Sequence, residues 1–114
     1  MHDVIQVLPQ KDFTVFVYFS DGIIKKYDAS PLLGKGVFSK ISNIDDFQNK
    51  CTVLNNTLAW DLSGNYDPYN CIDIDPESIY KNSETVADPL TPQNLGVRES
   101  MPRESSLITL VVSL

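Results

Sequence analysis

Few side chains in this 114-residue chain could do chemistry, and their spacing restricts what that chemistry could be. His2 is the only histidine, so a serine or cysteine nucleophile would depend on it as a base. Its place beside the chain start argues against a rigidly held ring. Cys51 and Cys71 are the only cysteines, too few for a disulfide scaffold and wrongly spaced for a zinc knuckle or a redox CxxC pair. Buried free thiols are the first expectation, with a mutual disulfide and a reactive thiol as the alternatives. Asp61, Ser63, Asn65 and Asp67 imitate the opening of a calcium loop, but Tyr66 stands where glycine is required and Ile72 where a bidentate acid is required. These aspartates, together with Asp73 and Asp75, are expected to bond turn backbones rather than a metal. The sequence carries no GxSxG, HExxH, phosphate-binding glycine loop or dinucleotide fingerprint. The expectation is a non-enzyme with no catalytic residue, no metal site and no cofactor.

Aromatic residues offer the other kind of site. Trp60, Tyr66 and Tyr69 could make a binding platform beside a hairpin, although closing a small core is the commoner fate of such residues. Near the chain end, Leu107-Ile108-Thr109-Leu110-Val111-Val112 is an uncharged, β-prone run that suits addition to a sheet edge, in this chain or another. Trp60, Tyr66, Tyr69, Leu107, Ile108, Leu110 and Val111 are therefore the candidate interaction residues.

Composition narrows the class of partner. Hydrophobic residues make up 42% of the chain and charged residues 21%, values of a folding globular protein rather than a disordered one. The formal net charge of −6 repels a nucleic-acid backbone, and residues 1–81 hold seven scattered lysines and no arginine. Direct nucleic-acid binding is not expected. The N-terminal stretch MHDVIQVLPQKD lacks the pattern of a signal peptide, and no apolar run is long enough to span a bilayer, so a cytoplasmic location without membrane attachment is the default.

The elements that must position these residues centre on Phe13 to Asp28, FTVFVYFSDGIIKKYD. Its alternation predicts a β-hairpin turning at Asp21-Gly22. A three-residue loop, Ser20-Asp21-Gly22, closed by a left-handed glycine, pairs Phe19 with Ile23, Val17 with Lys25 and Val15 with Tyr27. That register gathers Phe13, Val15, Val17, Phe19, Ile23 and Tyr27 on the core side and turns Thr14, Tyr18, Lys26 and Asp28 outward. Lys25 is the misfit. Val4 to Leu8 predicts a strand before the hairpin, completing a meander. Ser30 with Pro31 suits one helical turn, and Asn43 caps a helix that runs to Lys50. Cys51 to Leu54 and Thr57 to Trp60 form a second hairpin around Asn55-Asn56. Cys71 to Ile74 is extended, and Asp75-Pro76 starts a closing helical turn. The fold expected is α+β, a small, mainly antiparallel sheet with one or two short helices. It divides into a domain at 1–81 and a linker-like tail at 82–114 with a hydrophobic end.

Four stretches in this order carry a family resemblance: Phe19-Ser20-Asp21-Gly22, Tyr27-Asp28-Ala29-Ser30-Pro31-Leu32-Leu33, Leu58-Ala59-Trp60, and Asp73-Ile74-Asp75-Pro76-Glu77-Ser78-Ile79-Tyr80. Residues 1–81 resemble the domain-of-unknown-function family 2442 (DUF2442), a set of small prokaryotic proteins. The chain departs from that pattern in the insertion Ser63 to Asn70 and after Lys81. The resemblance implies an α+β fold and brings no catalytic residue. It also implies pairing of some members with small partners in toxin-antitoxin-like arrangements. The functional expectation is a non-enzymatic protein-interaction module, antitoxin-like towards a small protein or forming a homodimer. A small-molecule or substrate-binding accessory domain is the alternative.

Overall fold

The computed structural model describes residues 1–90. Three strands open the chain: β1 (Val4–Pro9), β2 (Thr14–Phe19) and β3 (Ile24–Asp28). They form an antiparallel meander in which Val15 faces Tyr27, Val17 faces Lys25 and Tyr18 faces Ile24. The turn is the three-residue one. Gly22 has φ +91°, its N–H donates to the Phe19 carbonyl at 3.0 Å, and the Phe19 N–H donates to Ile23 at 2.9 Å. This register sends Val15, Val17 and Phe19 into full burial.

Three details of the hairpin differ from the sequence expectation, the first being Ile23, which is half-buried and stands outside the core cluster. Phe13 precedes the strand, in a left-handed turn at φ 65°, although its ring still meets Phe47 at 5.1 Å in the core. Thr14 is buried rather than turned to solvent. The Asp12 carboxylate accepts from both its N–H at 3.1 Å and its hydroxyl at 2.6 Å, so the tight Gln10–Phe13 turn folds back over it.

After β3, the 3₁₀ turn Ser30–Leu32 starts from Ala29 without a side-chain cap, and Ser30, expected to cap it, instead donates its N–H and hydroxyl to Asp28 at 2.9 and 2.7 Å. A second 3₁₀ stretch, Gly36–Ile41, inserts Ile41 into the core. Helix α1 (Ile44–Lys50) follows. Asn43 accepts from the Asp45 and Asp46 N–H groups, and those two acids sit at the positive end of the helix dipole. The helix buries Phe47.

A second antiparallel sheet contains β4 (Cys51–Leu54), β5 (Thr57–Asp61) and β6 (Cys71–Asp73) in that order. The β4–β5 turn rests on Asn55 and Asn56 at φ 54° and 60°, the left-handed pair that a two-residue loop requires. Helix α2 (Pro76–Asn82) begins with Pro76 in its first turn and Asp75 accepting from the Glu77 N–H. Pairing continues past Lys81, where the sequence suggests a linker. Strand β7 (Glu84–Thr85) lies beside β3 at the edge of the first sheet, which has the order β1-β2-β3-β7.

Lys25 explains this continuation. Its ammonium reaches the Ser83 carbonyl at 3.3 Å and the Thr85 hydroxyl at 2.7 Å and lies 5.0 Å from the Tyr80 ring centroid. The apparent misfit of the hairpin is thus the residue that fastens β7. The fold is α+β, with one core drawn from both sheets and both helices: Val15, Val17, Phe19, Ile41, Phe47, Leu58, Trp60 and Ile79 are its most deeply buried side chains. The sheets are also stitched together through the Val4 N–H on the Asn56 carbonyl at 3.0 Å.

Candidate functional site

The loop from Asp61 to Asn70 is built around one carboxylate. Asp61 ends β5 and is buried, yet all its bonds are local. One oxygen accepts from the Ser63 N–H, the Ser63 hydroxyl and the Gly64 N–H at 3.2, 2.8 and 3.2 Å; the other accepts from the Tyr66 N–H at 2.9 Å. These donors, the Tyr66 N–H foremost, hold the Asp61 carboxyl below its ordinary 3.8. The bend forces Tyr66 to φ 56° and Gly64 to φ 77°. A bulky residue in that region is strained, and the four donors on Asp61 are what keep it there.

The second half of the loop is tied in the same manner. Asp67 accepts from the Tyr69 N–H at 2.9 Å, and Asn55, in the turn of the second hairpin, donates to the Pro68 carbonyl at 3.4 Å and to Asp73 at 3.1 Å. Tyr66 and Tyr69 consequently project from a fixed backbone, with 64% and 96% of their surface exposed. Between the loop and the end of α1 lies a cleft of about 390 Å³, lined by residues that include Asn49, Thr52, Asp61, Ser63 and Tyr66. Lys50 also lines the cleft; between it and Lys81 the sequence holds five acids, Asp61, Asp67, Asp73, Asp75 and Glu77, and no lysine, arginine or histidine.

The aromatic trio read from sequence therefore divides. Trp60 is fully buried, packs on Phe47 at 5.4 Å and donates its indole N–H to the Phe47 carbonyl at 3.0 Å, so it belongs to the core and not to a surface. Its neighbour in sequence, Asp61, faces the other side of β5, as strand alternation requires. Leu107, Ile108, Leu110 and Val111 lie outside the described residues.

The cysteines are free and point to opposite faces of the second sheet. Cys51 pairs with Trp60, on the core side, whereas Cys71 pairs with the next residue of β5, Asp61. That placement keeps them from a mutual disulfide. Burial pushes the Cys51 thiol up to about 12. Burial first, then Asp73, raises Cys71. Both shifts suppress the thiolate that a nucleophile needs.

Sequence reasoning missed the contacts of His2. Its ring stacks on Tyr80 at 3.6 Å, meets Phe19 edge-on at 6.2 Å, and places Nδ1 2.7 Å from the Glu77 carboxylate, which also accepts the His2 N–H at 2.6 Å. The Tyr80 hydroxyl donates to Asp21 at 2.7 Å, in the hairpin turn. The His2 hydrogen bond foremost lowers Glu77, and the Tyr80 hydroxyl lowers Asp21. The ring is held after all, because α2 brings a stacking surface and an acceptor to it from 75 residues away. The order DIDPESIY carries both Glu77 and Tyr80 one helical turn apart, the only local signal for this clasp.

Among the described residues, no group of three or more His, Cys, Asp or Glu side chains could hold a metal ion, and no helix is long and apolar enough to cross a membrane. A family model described as "Protein of unknown function (DUF2442)" matches residues 4–85. No curated protein and no solved structure matches the chain.

Proposed function

From the membership of this chain in the DUF2442 family, whose description assigns no function, we propose its role on geometry alone: a non-enzymatic protein-interaction module that presents Tyr66 and Tyr69 to an acceptor protein. The carrying observation is the pinned loop. Two exposed tyrosines stand on a backbone fixed by Asp61 and Asp67, one of them in a strained left-handed conformation. Tyrosine gives a large contact area for little side-chain entropy, and prior fixing of the loop lowers the ordering cost of association. The five acids between Lys50 and Lys81, with the net charge of −6, favour a partner with a basic surface, and an antitoxin-like pairing with a small basic protein is one instance of this reading.

The cleft beside the loop supports a second reading, a small-molecule accessory site, because its size falls in the range of ligand pockets and Asn49, Thr52 and Ser63 give it polar groups. Native mass spectrometry of the chain isolated from its own cells separates the two. The interaction reading expects a co-isolating polypeptide that dissociates as salt is raised. Recovery of the bare chain with a small-molecule adduct would replace it with the ligand reading.

A further inference from the structure

The first sheet has a second apolar face that the core does not use. In the observed register Leu8 and Lys26 lie on either side of Phe16, and Gln6 and Ile24 on either side of Tyr18, all on the side away from Val15, Val17 and Phe19. Leu8, Phe16 and Ile24 are half-buried and stand outside the core cluster. An antiparallel sheet with one solvated side ordinarily alternates apolar and polar residues, so a patch of leucine, phenylalanine, tyrosine and isoleucine on the outer side, bordered by Gln6 and Lys26, calls for a cover.

The path of the chain points to the cover. Past β7, the Val86 N–H donates to the Ile24 carbonyl at 2.9 Å, the Tyr18 hydroxyl donates to Asp88 at 2.6 Å, and the same Asp88 oxygen accepts from the Leu90 N–H at 2.8 Å. The described chain is thereby delivered to the rim of this face and ends with Leu90 60% exposed. Sixteen residues then separate Leu90 from Leu107, a contour of up to about 55 Å, against about 15 to 20 Å for the width of a four-stranded sheet. The run Leu107 to Val112 is uncharged and apolar except at Thr109. We propose that the outer face formed by Leu8, Phe16, Tyr18 and Ile24 is a docking site for residues 107–112 of the same chain.

Methyl and aromatic NMR of the full chain tests this. The proposal expects nuclear Overhauser contacts between methyls of Leu107 to Val112 and the Phe16 ring or Ile24 methyls, at every concentration. It also expects the variant Ile108→Asp/Leu110→Asp to shift the Leu8, Phe16, Tyr18 and Ile24 signals while leaving the Trp60 indole signal, the report on the core, in place. Absence of these contacts, with outer-face signals unmoved in the variant, overturns the proposal. So do contacts that grow with concentration and appear between differently labelled chains, since a second copy would then be the cover.

Discussion

At the scale of single residues, one carboxylate decides the shape of the candidate site. Asp61 draws four donors from Ser63, Gly64 and Tyr66, and none of those bonds survives protonation undiminished. Its folded pKa lies below the ordinary 3.8, so its contribution to stability is present above that value and is lost as pH falls through and below it. Asp61→Ala is expected to lower the melting temperature at neutral pH, with the gap from wild type closing as the solution is acidified past 3.8. Parallel melts along a pH series check this, and a gap that stays constant would show that the loop does not depend on the charge. Asp61 and Asp67 were legible in the sequence as turn-forming residues because their bonds reach only two to five positions along the chain. The His2 clasp and the Lys25 fastening were not, because their partners lie 75 and about 60 residues away and no local pattern encodes them.

At the scale of elements, the meander and the second hairpin were readable from their turns. Asp21-Gly22 allows a two-residue or a three-residue loop, and only the latter gathers Val15, Val17 and Phe19 with Tyr27 on one side; Asn55-Asn56 suits a two-residue loop, and each geometry sets which side of the next strand faces inward. Gly22 tests the point cleanly, since a Cβ added there meets nothing within 4 Å and any cost is backbone strain at φ +91°. Gly22→Val is expected to cost about 1–2 kcal/mol in urea unfolding; an unchanged midpoint would contradict the left-handed turn. The register also predicts that Val17→Asp, which places a carboxylate in a fully buried position, abolishes cooperative unfolding, while Gln6→Asp on the exposed part of β1 melts like wild type. Thr14 departed from the alternating pattern because Asp12 bends the preceding turn over it, and a strand period cannot register a side-chain bond made from outside the strand. Strand β7 escaped for a related reason: two exposed polar residues, Glu84 and Thr85, carry no hydrophobic period, and only β3 and the Lys25 ammonium give them a place.

At the scale of the whole molecule, the core and the site draw on different parts of one stretch. Trp60 goes inward to Phe47 and completes a core shared by both sheets, while Tyr66 and Tyr69, carried only six and nine residues further on, stand in solvent on an acidic surface. The aromatic composition of that stretch was visible in the sequence, but its division between core and surface depended on where β5 ends and Asp61 begins the loop. Replacement of both tyrosines should consequently spare the fold and remove the proposed contact surface. The decisive measurement is affinity capture from the protein's own cells with wild type and with Tyr66→Ser/Tyr69→Ser, the two showing equal thermal melts. The proposed role predicts a stoichiometric protein partner on wild type whose affinity for the double variant falls about tenfold or more, the loss expected when two tyrosine anchors worth upwards of about 1 kcal/mol each are removed. Equal recovery of that partner by the variant would contradict it.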